Sequence, residues 1–379
     1  MSTAVLSTNG DNHFKYSAPI DTLVVATVNG AVKLTRASGG KWNRTGHSLV
    51  GDHVNSLTID QDNGNLFAAL MPGSLMKSTD AGSSWSVVEG PFAGDGMYSL
   101  RWRNQNGKSV IYVGTQPVDF FRSEDGGNTW ENLSSFKNAP MHEEWKFPSP
   151  DHSPHLKTLA IDFRDSNYML AGVEQGGLLR STDGGKTWED MDSWVDYENI
   201  VYKDVHQVMM QPSNPDIVYM TTGLGILKSE DRGVNWRWLT AENFRIGYPD
   251  QLLFSPGNHQ KMFVSGGFAI PYHWVKAKSA KGTIMISDDG GENWRSPKNG
   301  YPENRANVEA MTICAYTDGS PYEIFAGNTE GEVVYSNDAG ETWSVIASGL
   351  APIGKPTHDT LINGVSYDNG VVLPDFAEN

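Results

Sequence analysis

Six times along the chain one eight-residue pattern returns: Ser, any residue, Asp, any, Gly, two of any, Trp. The copies run from Ser78, Ser123, Ser181, Ser229, Ser287 and Ser336 to Trp85, Trp130, Trp188, Trp236, Trp294 and Trp343. A degenerate seventh copy, Thr35, Ala37, Gly39 and Trp42, lacks the Asp. Successive tryptophans stand 43, 45, 58, 48, 58 and 49 residues apart, the period of a small sheet repeated around a ring. Each copy makes physical sense as a hairpin turn. The Asp carboxylate accepts bonds from turn amides, the Gly supplies a positive φ, and the Trp packs between neighbouring units.

Between the copies lie short strand patterns. One unit reads HLKTLAID (155–162), NYMLAGV (167–173), GLLRSTD (177–183) and TWEDMD (187–192), four strands and so one blade. The expected fold is all-β: a seven-bladed β-propeller of four-stranded blades in a single domain, 1–379, with residues 1–20 as an N-terminal extension. The first unit begins at DTLVVATV with no first strand ahead of it, while LINGVSYD (361–368) has no blade of its own. The C-terminal strand is therefore expected to complete the first blade and protect the ring's edges.

The repeated motif resembles the BNR or Asp-box repeat propellers, a superfamily of sialidases, xyloglucan-cleaving glycosidases, sortilin-type receptors and photosystem II assembly factors. The resemblance spans nearly the whole chain. It implies a scaffold rather than an activity, because the same box serves enzymes, receptors and assembly factors. It also implies that the boxes occupy one face and that the opposite mouth of the channel is where a ligand sits.

Aligning the first strands on Leu57, Leu100, Leu159, Val208, Leu252, Met311 and Val365 places Asn55, Tyr98, Lys157, His206, Asp250, Glu309 and Asn363 in one ring, two positions earlier. Four positions earlier stand His53, Gly96, His155, Asp204, Tyr248, Asn307 and Leu361. So many titratable types in one register point to a site. Two long loops, 138–155 with His142 and 268–282 with His273, are read as lids, and VEQGG (173–177) brings Glu174 to the same mouth. Catalytic candidates are His155, Lys157, Glu174, His206, Asp250 and Glu309. Ligand-binding candidates are His53, Tyr98, His142, Asp204, Arg245, Tyr248, His273 and Arg305.

Two chemistries fit these residues. His155, Glu174, Asp204 and His206 suit one divalent metal ion, although no metal-binding spacing such as HExxH or CxxC occurs. Without a metal, the same groups serve acid–base work, with His206 or Glu309 moving a proton, Asp250 orienting or stabilising a cation and Lys157 holding an anion. The sialidase resemblance would require three arginines and a Tyr–Glu pair. The inner ring holds no Arg, and only Arg245 and Arg305 precede first strands, so that activity is disfavoured. The reading is a hydrolase or lyase acting on a small polar molecule or saccharide; the alternative is a non-catalytic protein- or peptide-binding propeller. A formal charge of −16 argues against nucleic acid and anionic membranes as partners. The single cysteine, Cys314, and the lack of an apolar leader suggest a cytoplasmic protein.

Overall fold

The computed structural model describes residues 2–92, 95–139, 142–147, 153–191, 193, 203–239, 244–299, 301 and 305–362. Seven sheets follow one another along the chain, with only two short α-helices among the described residues. Five sheets have four strands. The sixth has three, Tyr248–Ser255, Asn258–Gly267 and Thr283–Ser287, extended by a bridge between Ile286 and Arg295. The first-strand anchors Leu57, Leu100, Leu159, Val208, Leu252 and Met311 are 0–3% exposed. Burial on both faces of each blade explains why these strands read as apolar runs.

The boxes are turns, as their residues demand. In the fourth blade Asp183 Oδ1 accepts from the Lys186 and Thr187 amides, each at 2.9 Å, and from Ser181 Oγ at 2.9 Å. Thr187 Oγ1 donates to Oδ2 at 2.7 Å. Gly185 has φ +89°, and a Cβ there would press on Leu133 of the preceding blade. Trp188 stacks edge-on against Phe136 and Phe120, at 4.9 and 5.9 Å. Asp183→Ala should therefore lower unfolding free energy by about 1–3 kcal/mol, read by denaturant titration, while the channel residues keep their arrangement. A folded variant with altered channel chemistry would contradict the purely structural role of the box.

The ring closes in a way the strand patterns do not announce. Strand β1 (Thr3–Leu6) runs parallel to Thr22–Thr27 and is the innermost strand of the first blade. Strand β2 (His13–Tyr16) runs parallel to Val308–Tyr316 and adds a fifth strand to the seventh blade. One N-terminal segment thus joins the first and last blades, and Thr312 Oγ1 donates to the Val5 carbonyl at 2.8 Å across the seam. Closure by a C-terminal strand, and an N-terminal extension outside the ring, are both corrected. A parallel ladder is slightly weaker per residue than an antiparallel one, but it satisfies the edge of Thr22–Thr27, and Ala4, Val5 and Leu6 are wholly buried in that place. Of LINGVSYD, Leu361 and Ile362 end a helix, α2 (Pro356–Ile362); positions 363–368 lie outside the described residues. A second helix earlier in the chain, α1 (Pro271–Ala277), interrupts the sixth blade, and the two helices pack on each other.

Between β1 and β2 the chain crosses the channel. Asn9 Nδ2 donates to Asn55 Oδ1 (3.2 Å), Asn12 Nδ2 to Gln251 Oε1 (3.1 Å), and Asp11 accepts from Thr58 Oγ1 and from the Trp102 amide, both at 2.6 Å. This crossing separates the mouth, where first strands begin, from the end where they finish. In an antiparallel blade the first-to-second and third-to-fourth connections share one end, so the far end is the box end.

Candidate functional site at the channel mouth

Every first strand from the second to the seventh blade carries a bulge at the same place. The pairing register skips one residue between Val54 and Ser56, Met97 and Ser99, Leu156 and Thr158, Val205 and Gln207, Pro249 and Gln251, and Val308 and Ala310. The skipped residues are Asn55, Tyr98, Lys157, His206, Asp250 and Glu309, six of the seven positions that the sequence alignment places in one register; the seventh, Asn363, lies outside the described residues. A bulge re-aims the extra residue's side chain, and here all six polar groups are withdrawn from the ladder together. They are 2–6% exposed.

Glu174 stands at one centre of the cluster. Its carboxylate meets His155 Nε2, the Lys355 ammonium, Lys157 Nζ at 3.0 Å and the Tyr98 hydroxyl at 3.2 Å. Burial opposes its ionisation, but Lys157, Lys355 and His155 outweigh that and hold it well below the usual carboxylate range. Burial pushes Lys157 and His155 down, although Glu174 pulls both the other way. Tyr98 stacks on His155 with ring centres 3.7 Å apart.

A second centre joins two carboxyls. Asn307 Nδ2 donates to Asp250 Oδ2 at 2.8 Å and to Glu309 Oε1 at 3.0 Å. Glu309 also meets His358 Nδ1 and accepts from the Lys355 amide at 2.7 Å. Burial would raise Glu309, but His358 and these hydrogen bonds bring it down. Among the described residues Asp250 has no such direct contact with a cation: burial first, then Glu309, raise it, and the opposing pull of His206, Lys157 and His358 does not cancel them. The two neighbouring carboxyls are thus driven apart, Glu309 toward its ionised form and Asp250 toward its protonated form. Between the centres, His206 Nε2 lies 3.2 Å from Asp204 Oδ2, while its Nδ1 is bonded to the Pro249 carbonyl at 2.7 Å. Burial works against Asp204's ionisation, and His206 more than compensates.

Two helices cover the mouth. From α1, the fully buried Trp274 sits edge-on to Tyr248 (5.6 Å) and His358 (5.0 Å); α2 brings His358 itself. The 268–282 loop thus packs a helix against the cluster, and the C-terminal segment packs beside it. Gly354, at φ +148°, lets that segment turn beside Glu309, where a Cβ would collide with the carboxylate. His53 lies here too, held down to about 4 by burial against a backbone bond from Gly354.

The cluster thus unites His53, Tyr98, His155, Lys157, Glu174, Asp204, His206, Tyr248, Asp250 and Glu309. Other candidates are spent elsewhere. His142 lies in a short 3-10 turn against Trp145, 5.1 Å between rings. His273 is exposed on α1 beside Tyr272, and Arg305 pairs with Glu330 at 2.9 Å on the surface. Arg245 precedes the sixth blade, its amide against Met285 Sδ at 3.2 Å. Lys355 and His358 belong to the site without having been found in the sequence. They follow the last box in GKPTH, where no strand register predicts a side chain's direction.

Glu174, Asp204 and His206 offer atoms within 4.8 Å of one another, a spacing that a metal ion could use. The surroundings do not fit one. Two ammonium groups already neutralise Glu174, and His155, the fourth expected ligand, spends its Nε2 on the same carboxylate. A divalent cation would have to displace both lysines from a buried site.

Comparison with known proteins supports the Asp-box resemblance. The family model "Sortilin, neurotensin receptor 3" matches residues 176–303. A xyloglucanase of Paenibacillus sp is 27% identical over 291 residues, 66% of this chain and 27% of that protein. An anhydrosialidase of Macrobdella decora is 25% identical over 307 residues, 79% of this chain and 34% of that protein. The chain therefore spans about a quarter to a third of these curated relatives. Among solved structures, YCF48 bound to D1 peptide superposes with a TM-score of 0.56 at 16% identity, covering 86% of this chain and 93% of that one, a likeness of fold. The chain is a seven-bladed propeller carrying six Asp boxes, and the proteins it is similar to include xyloglucanases, an anhydrosialidase and a photosystem II assembly lipoprotein. No described helix is long and apolar enough to cross a membrane.

Proposed function

We propose that the channel mouth is the active site of a hydrolase for a small polar ligand, a saccharide by preference. The observation that carries this reading is the split pair: one Asn307 amide bonds both Asp250 and Glu309, and burial and Glu309 oppose the ionisation of Asp250 while His358 favours that of Glu309. A buried acid that keeps its proton is what leaving-group protonation requires. In this scheme Asp250 gives its proton to the leaving oxygen as the bond from that oxygen to carbon breaks. Asp204, ionised beside His206, takes a proton from the water whose oxygen bonds to the same carbon. Proton exchange with solvent then resets both groups. The Glu174 carboxylate and its two lysines orient hydroxyls, and Tyr98 and Tyr248 offer faces for a sugar ring. Opening of α2 admits the ligand and its closure excludes water. The xyloglucanase and anhydrosialidase relatives, proteins named for action on saccharides, support that substrate class.

The test is release of product from a panel of aryl glycosides and xyloglucan oligosaccharides, followed across pH. The rate should rise as Asp204 ionises and fall as Asp250 loses its proton, giving a bell. A propeller that captures peptides and turns over none of the panel would instead favour the binding-protein reading.

A further inference from the structure

At the box end, beneath the crossing N-terminal segment, lies a cavity of about 200 Å³. It is separate from the mouth, and its wall changes character from one side to the other. One side holds Asp11, Arg101 and Arg103; the other is apolar, with Ile161, Met209 and Met210. Pro212 on the rim is exposed, so the cavity is reachable from solvent.

The charges do not balance. Arg103 Nη1 pairs with Asp11 Oδ1 at 2.7 Å. Arg101 is 7% exposed and, among the described residues, has no carboxylate within ion-pair distance. Its Nε and Nη1 donate only to backbone carbonyls, of Leu159 (3.3 Å), Asn9 (2.7 Å) and Leu100 (2.7 Å), and among the described residues its Nη2 has no partner. His13 adds no charge. Its Nε2 accepts from the Phe254 amide at 2.9 Å, so the ring proton sits on Nδ1 facing Asn12 Oδ1 at 2.7 Å. Burial holds this imidazole neutral, down to about 4. Two guanidiniums therefore face one carboxylate. Burial pulls Arg101 down to about 10, against the help of Asp11, which still leaves it charged at neutral pH. A buried guanidinium whose charge is not directly paired is costly unless an anion completes it.

We infer that this cavity binds a small organic monocarboxylate with an apolar body. The carboxylate would meet Arg101 Nη2 and the Arg103 guanidinium, and the body would lie on Ile161, Met209 and Met210. One excess positive charge matches a monoanion. The apolar wall excludes a purely inorganic ligand, which would leave it wet. This site is independent of the hydrolase reading, since no mouth residue lines it.

Calorimetric titration of the full chain with 4-methylpentanoate tests the inference, beside 4-methylpentanamide and inorganic phosphate as probes. The carboxylate should bind one to one and raise the melting temperature, and the neutral amide should do neither. Arg101→Gln should weaken binding about tenfold to a hundredfold. Arg101 also holds the Asn9 carbonyl, so Met210→Trp, which fills the apolar side and leaves both arginines, gives a second measure and should abolish binding in a folded protein. Undiminished binding by Met210→Trp, equal binding of the amide, phosphate binding as tightly as the carboxylate, or no binding of 4-methylpentanoate would each overturn the proposal.

Discussion

A chain that begins at Ser17 should lose its single cooperative melting transition and its near-ultraviolet circular dichroism. The segment removed supplies the innermost strand of the first blade, four paired positions from Thr3↔Thr22 to Leu6↔Val25, and four more on the seventh, from His13↔Ile313 to Tyr16↔Tyr316. Without it Leu23, Val24 and Val25 face an empty channel, and two strand edges open where the ring was sewn. Loss of Asp11 would also strip Arg103 of its ion-pair partner and Arg101 of the carboxylate that favours its charge from farther off. Burial of Ala4, Val5, Leu6 and Phe14 alone is worth several kcal/mol at about 25 cal/mol per Å², comparable with the whole stability of an ordinary domain. Adding a synthetic peptide of residues 1–17 should restore the transition. The control is truncation after Gly354, which removes Lys355 and His358 from Glu174 and Glu309 but leaves both clasp strands. That protein should melt at a lower temperature yet still cooperatively. The reverse ranking of the two truncations would place closure at the C-terminus.

The contrast between these two ends shows what the sequence discloses. The boxes declare the turns, and the turns declare the blades, because Asp183 and its equivalents bond within five residues of themselves. Local chemistry of that kind is legible. The ring of Asn55, Tyr98, Lys157, His206, Asp250 and Glu309 was legible too, through register, although the bulge that turns them inward was not. The N-terminal clasp was hidden because TAVL and HFKY are short and their partners lie 19 and 300 residues away. Only tertiary pairing selects them as strands. Lys355 and His358 were hidden for the same reason: their partners Glu174 and Glu309 are 181 and 49 residues distant. Loop length did not place His142 and His273, since a loop residue has no fixed direction until the loop has packed.

Asp250→Asn should cost turnover and gain stability, and the pairing of these two effects separates a catalytic acid from a structural one. His206→Ala is a poorer probe. His206 is 2% exposed and packed 4.4 Å from Tyr248, so truncating it damages the core as well as the chemistry. Asparagine keeps the shape of a protonated Asp250: its carbonyl can accept from Asn307 Nδ2 as Oδ2 does at 2.8 Å, and its amide stands where the carboxylic proton would be. What it cannot do is release a proton. Loss of one general acid should lower kcat by about 10²- to 10⁴-fold, with the alkaline limb of the pH profile gone, since that limb is Asp250's own ionisation. The stability sign follows from linkage. Asp250's folded pKa lies above its unfolded value, so its favourable contribution is complete below an unfolded pKa of about 4 and is lost as pH rises through the folded one. Near pH 7 the wild-type fold bears the cost of a buried carboxyl pressed toward ionisation beside Glu309, and the variant does not. The melting temperature of Asp250→Asn should therefore exceed that of wild type at pH 7, and the gap should close toward pH 4. A variant that turns over normally removes Asp250 from the mechanism. One that loses both turnover and stability at pH 7 makes the carboxyl a structural anchor, because an ionised, well-paired aspartate is the group whose replacement by Asn weakens the fold above pH 4.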